Sequence, residues 1–300
     1  MNFNGAGDGA SDGASDGASD GASDGASRRR GLFISAGGGI SLPVVIPLDP
    51  DGRELLGLQG GFEENDVAPG LWARNKILTL IRKPPFNNFD FAFGGEIVDP
   101  ATINKSQVEE FKHALDRRQL NLTDFGAEIA DQAGSFDHYY YHILSITPRT
   151  HPNTARLIAL GMHMASLVGM HFKLKYMRAR PAQVHPGMMP MLPTPAHPSY
   201  PSNHATQAMT VSELLKALLD EVGIGAQFAL YLDELAKRIA INRERAGLHY
   251  RSDSEAGRSL GCEIAIRLRA DTDVQQIIAN AKTELANRVP HTGVPLGVKL

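Results

Sequence analysis

The sequence contains a single cysteine, Cys262, among its 300 residues. An intrachain disulfide is therefore excluded, and so is a metal site built on several thiolates. Neither sign of charge dominates, since 30 basic residues stand against 33 acidic ones and the formal net charge is −3. With no extended basic stripe in the sequence, this balance argues against a nucleic-acid partner.

Long hydrophobic runs are also absent. A membrane-spanning helix needs about 18 or more consecutive apolar residues. The nearest run, Leu157 to Phe172, is shorter than that and contains His163 and His171. We predict that it is a buried core helix, and that the sequence has no integral membrane span.

The N-terminus is a low-complexity segment in which Gly-Ala-Ser-Asp repeats from Gly9 to Asp24. Such small, polar residues bury too little apolar surface to offset the entropy of ordering, so residues 1–30 are predicted to be a disordered leader. The arginines Arg28 to Arg30 precede an apolar stretch, as in a twin-arginine export signal. Glycines and prolines interrupt that stretch, so a cytoplasmic location is favoured and export is the alternative.

The rest of the chain divides by composition. Residues 31–103 are rich in Gly, Pro and Asn and are predicted to form an irregular wrap with a strand or two. Apolar residues then recur at helical spacing, which predicts an all-α bundle over residues 104–288 and a tail over 289–300. The predicted helices are 104–118, 123–147, 153–176, 204–222, 226–246 and 254–288, and capping-box patterns begin at Ser106, Ser252 and Thr272. A proline-rich loop, 181–201, joins two of these helices.

Lys173 and Arg180 are the first candidate site residues. They are seven residues apart, which puts both on one face of a helix that Pro181 should end at Arg180. This predicts two cations directed at one point. A solvated basic helix end, with Lys175 and Arg178 as further exposed charges, is the alternative interpretation.

Ser202 and His204 follow the proline-rich loop. Ser202 is a favourable N-cap residue, which would leave the first-turn amides open to an anion beside His204. An ordinary capped helix with an incidental histidine is the alternative.

Arg243, His249 and Asp253 form the third candidate group. Gly247 should break the helix so that Arg243 and His249 converge. His249 and Asp253 are one helical turn apart, so the carboxylate can accept the Nδ1 proton and orient the ring. A surface ion pair is the alternative.

In combination the three segments resemble the signature of the superfamily of type 2 phosphatidic acid phosphatases and vanadium haloperoxidases. That signature reads K-x6-RP, PSGH and SR-x5-H-x3-D. This sequence has KLKYMRARP from Lys173, PSNH from Pro201 and NRERAGLHYRSD from Asn242. Asn203 replaces the glycine of the signature, and Asn242 replaces its serine.

The resemblance implies a helical-bundle fold and a role for each matching residue. His249 would be the nucleophile that takes a phosphoryl group, His204 the acid and base, and Asp253 the residue that orients His249. The implied phosphate-binding residues are Lys173, Arg180, Ser202, Asn203 and Arg243.

The resemblance leaves two activities open. A soluble phosphatase would hydrolyse small phosphate esters or pyrophosphates through phosphorylated His249 and need no cofactor. A haloperoxidase would hold vanadate in the same pocket with His249 as the vanadium ligand, and His197 would tune a halide or peroxide site.

Secondary features of the sequence support both activities, and on balance they favour the phosphatase. The stretch from His197 to Ser202 resembles algal bromoperoxidases, in which a histidine also lies seven residues before the acid–base histidine. A partly exposed loop histidine is the alternative interpretation of His197.

Other features favour the phosphatase. Met170 stands where haloperoxidases tend to carry tryptophan, and the spacing from His204 to Arg243 is short. Oxidisable methionines, Met188, Met189 and Met191, lie in the proline-rich loop. An inactive anion-binding relative is a third reading. A small-molecule phosphate is the expected substrate and a homodimer the expected assembly.

Overall fold

The computed structural model describes residues 67–89, 91, 125–184 and 186–286. Several sequence predictions lie outside these residues: the leader 1–30, the helix 104–118 with its capping box at Ser106, and the tail 289–300.

The described residues are helical and include no β-strand. The bounds of the helices, in chain order, are α1 Pro69–Leu80, α2 125–134, α3 Asp137–Leu144, α4 Pro152–Tyr176, α5 Pro181–Val184, α6 Asn203–Val222, α7 Gly225–Arg245, α8 Arg251–Ala270 and α9 Thr272–Ala286. This confirms the prediction of an all-α fold.

Helix α6 lies at the centre of the bundle. It begins where the Ser202 hydroxyl accepts a hydrogen bond from the amide of Ala205, at 3.4 Å, and ends at Gly223, whose φ of 84° suits glycine. Its buried residues pack against α4, α7 and α8. The N-terminus of α6 therefore opens in the middle of the molecule, with other helices around it.

Two glycines let α8 approach α6 closely. A Cβ atom on Gly257 would lie 2.6 Å from the main-chain oxygen of Ser202, and one on Gly261 would lie 2.6 Å from that of Thr206. Main-chain atoms cannot move aside as a flexible side chain can. The start of α8 is therefore held against the start of α6, where the candidate site residues lie.

The end of α4 differs from the prediction. The helix ends at Tyr176, because Met177 takes a left-handed conformation with a φ of 49°, so Arg180 lies beyond the helix. Pro181 begins the short helix α5, consistent with the preference of proline for the first helical turn. Lys173 and Arg180 are thus brought together by a turn of the chain and not by a shared helix face.

Helix starts also differ from the capping-box predictions. Helix α8 begins at Arg251, with Tyr250 as its N-cap, so the predicted box at Ser252 is wrong. At α9 the capping residue is Asp271, whose side chain accepts hydrogen bonds from the amides of Asp273 and Val274. Tyr250 caps α8 two residues before the predicted Ser252, and Asp271 caps α9 one residue before the predicted Thr272.

Three predicted regions are divided differently in the structure. Segment 123–147 contains two helices, α2 and α3, and segment 254–288 contains a break at Asp271. Helix α1, Pro69–Leu80, lies in the region predicted to be irregular. Its apolar residues Ala73, Ile77 and Leu80 are buried, and it packs against α4.

The segment Pro152–Val184 meets the length and composition criteria for a membrane span. Such a segment is weak evidence for a span, because core helices meet the same criteria, and 61% of its most apolar window is buried within the fold. Lys173 and Arg180 are both buried in the same region. The absence of an integral span remains a prediction.

The contact between α6 and α8 predicts the effect of enlarging Gly257. We expect Gly257→Ala to destabilise the fold by about 1–3 kcal/mol, despite the better helix propensity of alanine, because the added methyl group meets the main chain of α6. Gly187→Ala is the matched control, since a Cβ there has no neighbour within 4 Å. Urea unfolding followed by circular dichroism measures both, and equal stability of the two variants would contradict the packing described.

Candidate active site

His249 lies in the short connection between α7 and α8. Gly247 makes this connection possible, because its φ of 75° is a conformation that side chains disfavour. Helix α7 ends at Arg245, and the amide of Leu248 donates back to the carbonyl of Arg243 at 3.1 Å. The predicted break at Gly247 is therefore present, and it turns His249 into the interior, where only 4% of the residue is exposed.

The tautomer of His249 follows from its contact with Asp253. Its Nδ1 lies 3.0 Å from Asp253 Oδ2. A carboxylate oxygen can only accept, so Nδ1 carries the proton and Nε2 keeps its lone pair. Burial, and then the charge of Arg180, lower the pKa of His249 well below its usual value. The ring is therefore neutral, and Nε2 keeps a lone pair that Arg180 Nη1 approaches at 3.4 Å.

Asp253 is fully buried and receives several further hydrogen bonds. Arg178 Nη1 donates to Oδ1 at 2.7 Å, while the Ser199 hydroxyl and the Tyr250 amide donate to Oδ2. Burial alone would raise the pKa of this carboxyl, but the hydrogen bond from His249 and the charge of Arg178 together lower it well below its usual range. Asp253 therefore stays ionised and fixes the orientation of His249.

Lys173, Arg180 and Arg243 are three buried cations, each no more than 1% exposed. Within the described residues their partners are mostly main-chain carbonyls. Lys173 Nζ donates to the oxygens of Pro198 and Ser199, both at 2.8 Å.

The two arginines are held in the same way. Arg180 Nε donates to the oxygen of His197 at 2.8 Å and its Nη1 to that of Leu248 at 2.9 Å. Arg243 Nη2 donates to the oxygen of Ile129 at 2.7 Å.

Among the described residues, no carboxylate forms an ion pair with Lys173, Arg180 or Arg243. The charges of Asp253 and Glu128 act on these groups only from a greater distance. Burial, followed by the charge of Arg180, lowers the pKa of Lys173 well below its usual value. Burial lowers the pKa of Arg180 and of Arg243 to about 10, so both stay charged at neutral pH. Buried charges without partners are costly, so the arrangement favours an anionic ligand.

His204 lies in the first turn of α6 and contacts α2. Its Nε2 is 3.1 Å from the main-chain oxygen of Gln132, which can only accept, so Nε2 carries the proton in the neutral ring. Burial, and then the charge of Arg243, lower the pKa of His204 well below its usual value. The nitrogen left to exchange a proton with a ligand is Nδ1.

His197 is held against Arg180 in the proline-rich loop. Its Nδ1 lies 3.1 Å from Arg180 Nη2, which can only donate, and 3.3 Å from the carbonyl of Pro198, which can only accept. The contact with the charged guanidinium is the shorter of the two, so Nδ1 accepts and Nε2 carries the proton. Burial, the charge of Lys173 and that of Arg180 lower the pKa of His197 to about 3. His197 is therefore a neutral hydrogen-bond donor through Nε2.

Several of these side chains border a cavity of about 200 Å³, whereas Lys173 is not among its lining residues. The polar part of the lining consists of Ser166, Arg180, His197, Asn203, His204, Gln207, Arg243 and His249. The apolar wall comes mainly from the loop and α2, with Leu192, Pro193, Pro195 and Ala133 among its residues. Polar groups that can hold an anion thus face a wall suited to an organic or weakly hydrated partner.

One nitrogen of Arg243 indicates which kind of ligand the cavity can bind. Its Nε is buried and has no hydrogen-bond acceptor in the described part of the protein. A buried donor without an acceptor costs roughly 1–3 kcal/mol. An oxygen of a bound tetrahedral anion would supply the acceptor, and phosphate and vanadate both offer such oxygens.

Ser202 plays a different part from the one that the resemblance implied. Its hydroxyl caps α6, as the sequence predicts, and its amide donates to the main-chain oxygen of Asp253 at 2.9 Å. The residue is fully buried and does not border the cavity. Ser202 therefore joins the starts of α6 and α8 rather than facing the cavity.

Comparison with known proteins extends this description. No family model matches the chain. The chain is 33% identical over 97 residues to a vanadium-dependent bromoperoxidase from Ascophyllum nodosum, a match that covers 25% of this chain and 17% of the relative. The chain therefore spans under a fifth of that relative's length.

The sequence match adds to the ordered motif and to the assembled lysine, arginines and histidines. Together they support the resemblance to the superfamily of type 2 phosphatidic acid phosphatases and vanadium haloperoxidases.

Two solved structures of superfamily proteins are similar to this chain. One is a transmembrane PAP2-type phosphatidylglycerolphosphate phosphatase from Bacillus subtilis, with 16% identity, a TM-score of 0.44 and coverage of 54% of this chain and 84% of that one. The other is a bacterial vanadium-dependent iodoperoxidase, with 18% identity, a TM-score of 0.44 and coverage of 65% of this chain and 53% of that one.

Asn242 replaces the serine of the superfamily signature and serves to hold α2. Its amide nitrogen donates to Glu128 Oε1 at 3.1 Å and to Gln132 Oε1 at 3.0 Å. The carbonyls of α2 in turn hold Arg243 and His204. Asn242 is therefore a support of the site that does not itself border the cavity.

Arg178 and Ser199 are the site residues that the sequence analysis missed. Arg178 was grouped with Lys175 as a solvated charge, yet Lys175 is exposed and Arg178 is 4% exposed. No periodicity separates the two, because the left-handed turn at Met177 decides which one points inward. For Ser199, the nearest signal was its place in the loop next to the predicted cap.

The ion pair between Arg178 and Asp253 predicts a large effect on stability. We expect Arg178→Met to lower the free energy of unfolding by about 3–5 kcal/mol, because it leaves the Asp253 carboxylate buried without its cation. Arg251→Met, which removes the exposed pair with Glu255 on α8, should cost less than about 1 kcal/mol. Chemical denaturation compares the two, and equal small losses would show that Asp253 does not depend on Arg178.

Proposed function

We propose that this chain is a vanadate-dependent haloperoxidase, which oxidises a halide with hydrogen peroxide. The sequence alone favours a phosphatase, and the match to a vanadium-dependent bromoperoxidase reverses that preference. The contact between His197 and Arg180 supports the same choice, because it puts a neutral histidine beside the anion-binding groups. Phosphate and vanadate have nearly the same shape, so the cations alone do not distinguish the two activities.

His249 is the proposed ligand of vanadium. Its Nε2 keeps a lone pair because Nδ1 donates to Asp253, and Arg180 Nη1 lies 3.4 Å from that lone pair. A hydrogen bond such as that to Asp253 fixes the ring of a metal-binding histidine. Arg178 and Ser199 hold Asp253 in turn. The proposed ligand is thus supported by a second layer of buried contacts.

Lys173, Arg180 and Arg243 would hold the oxygens of the anion. Three buried cations offset the charge of a di- or trianion, and the unpartnered Nε of Arg243 offers a hydrogen bond. Because these groups are already fixed by main-chain carbonyls, little reorganisation accompanies binding. Bound vanadate supplies the Lewis acid that activates peroxide towards halide.

The two remaining histidines would handle protons at the site. His204 can accept and return a proton at Nδ1, since its Nε2 proton is committed to Gln132. A bound anion offsets the charge of Arg243, which is one cause of the low pKa of His204. His197 would donate from Nε2 to an oxygen or a halide in the cavity while the apolar wall excludes water.

A phosphatase acting on small phosphate esters or pyrophosphates is the second candidate, and the unprotonated Nε2 of neutral His249 supports it. In the first step Nε2 forms a bond to phosphorus as the ester P–O bond breaks, and His204 in its protonated form gives its proton to the leaving oxygen. In the second step His204 takes a proton from water, the water oxygen forms a bond to phosphorus as the P–N bond breaks, and phosphate leaves. This route uses no cofactor, and the His249 intermediate is part of the proposal.

A paired assay on a single metal-stripped preparation separates the two candidates. We expect dye bromination that requires hydrogen peroxide, bromide and added orthovanadate, with only trace hydrolysis of p-nitrophenyl phosphate. His249→Ala should abolish bromination, because the vanadium ligand is lost. Asp253→Asn should weaken orthovanadate binding by about 10–100-fold, because the ring of His249 is no longer held in its tautomer.

His142→Ala is the control, since His142 is exposed on α3 away from the cavity. Hydrolysis that orthovanadate inhibits, with negligible bromination, would replace the first candidate by the phosphatase. Binding of orthovanadate without either activity would identify an inactive anion-binding relative. Absence of binding would contradict the oxyanion site itself.

A further inference from the structure

Asn203 is the residue at which the cavity departs from the superfamily signature. It replaces a glycine, is the first residue of α6, is 8% exposed and borders the cavity next to His204. A side chain at this position would be expected to reduce the space for an anion. The position of its amide therefore decides whether the site can still bind one.

The amide of Asn203 lies against α4 at Gly169. A Cβ atom built on Gly169 would be 2.1 Å from Asn203 Oδ1 and 3.1 Å from its Cγ. These distances are far below van der Waals contact, so the amide occupies the space that an ordinary side chain at residue 169 would need.

Hydrogen bonding does not explain this position. Asn203 Oδ1 is buried and has no hydrogen-bond donor in the described part of the chain. The backbone does not explain the glycine either, because Gly169 lies within α4 and its φ is not positive. Glycine within a helix costs about 1 kcal/mol relative to alanine. Space for Asn203 is the remaining reason for a glycine here.

We infer that Gly169 is a positioning residue for the anion cavity, which it keeps open by accepting the side chain of Asn203 against α4. The inference rests on the proposed oxyanion site. It means that Asn203 and Gly169 act as a pair that replaces the single glycine of the signature.

Four variants test the pair: Gly169→Ala, Asn203→Gly, the double variant, and Gly161→Ala as a control. Gly161 lies on the same helix, but a Cβ there would meet Leu214 and Val211 at 3.0 and 3.3 Å and not Asn203. The control therefore disturbs packing between α4 and α6 without moving the amide. The readout is the Kd for orthovanadate and for inorganic phosphate, measured by titration calorimetry.

Gly169→Ala should weaken binding of both anions by about 10–100-fold, because the displaced amide turns into the cavity. Asn203→Gly removes the amide, and its Kd is the reference for the double variant. The double variant should bind within about twofold of Asn203→Gly, since the methyl group then has no amide to displace. Gly161→Ala should bind as the wild type does, even if its thermal stability falls.

The inference is overturned if Gly169→Ala binds as the wild type does, or if the double variant binds as weakly as Gly169→Ala alone. If Gly169→Ala does not fold, the double variant decides: it should fold and bind, and its failure would mean that Gly169 serves general packing. A wild-type protein that binds neither anion would overturn the proposed function and this inference together. Normal wild-type binding with no effect of Gly169→Ala overturns the inference alone.

Discussion

The site depends above all on Asp253, which ties together four parts of the chain. Its carboxylate accepts hydrogen bonds from Arg178 beyond α4, from Ser199 in the proline-rich loop and from His249 before α8. Its main-chain oxygen accepts from Ser202 at the start of α6. A single buried residue thus fixes the nucleophilic ring and the helix start beside it, and the ion pair with Arg178 offsets the cost of burying its charge.

The other buried basic residues of the site differ from Arg178, which forms an ion pair with Asp253. Lys173, Arg180 and Arg243 are buried basic residues, yet the described protein gives them carbonyl oxygens and no carboxylate. A protein that binds an anion keeps such basic groups in place before the anion binds, and this lowers the stability of the free protein. Anion binding should therefore stabilise the fold as well as fill the cavity.

Much of this site could be predicted from the sequence because its spacings are local. The i, i+4 relation of His249 and Asp253, the cap at Ser202 and the break at Gly247 all depend on residues close in the chain, and all are present. The prediction that Lys173 and Arg180 share a helix face was wrong, because the left-handed residue Met177 ends α4 early.

Contacts between distant segments could not be predicted in the same way. Arg178 meets Asp253 across 75 residues, and Gly169 meets Asn203 across two helices. Neither contact leaves a periodic pattern. Helix α1 was missed for a related reason, since its stability comes from packing against α4 rather than from a strong apolar period.

The proline-rich loop uses its backbone and its side chains for different purposes. Carbonyl oxygens of His197, Pro198 and Ser199 hold Lys173 and Arg180, whereas the side chains of Leu192, Pro193 and Pro195 face the cavity. Every residue type has a main-chain oxygen, so the position of Lys173 does not require a particular side chain at 198. Related proteins could therefore change which organic partner or halide reaches the cavity by altering residues 192 to 195 alone, while the grip on the anion stays the same.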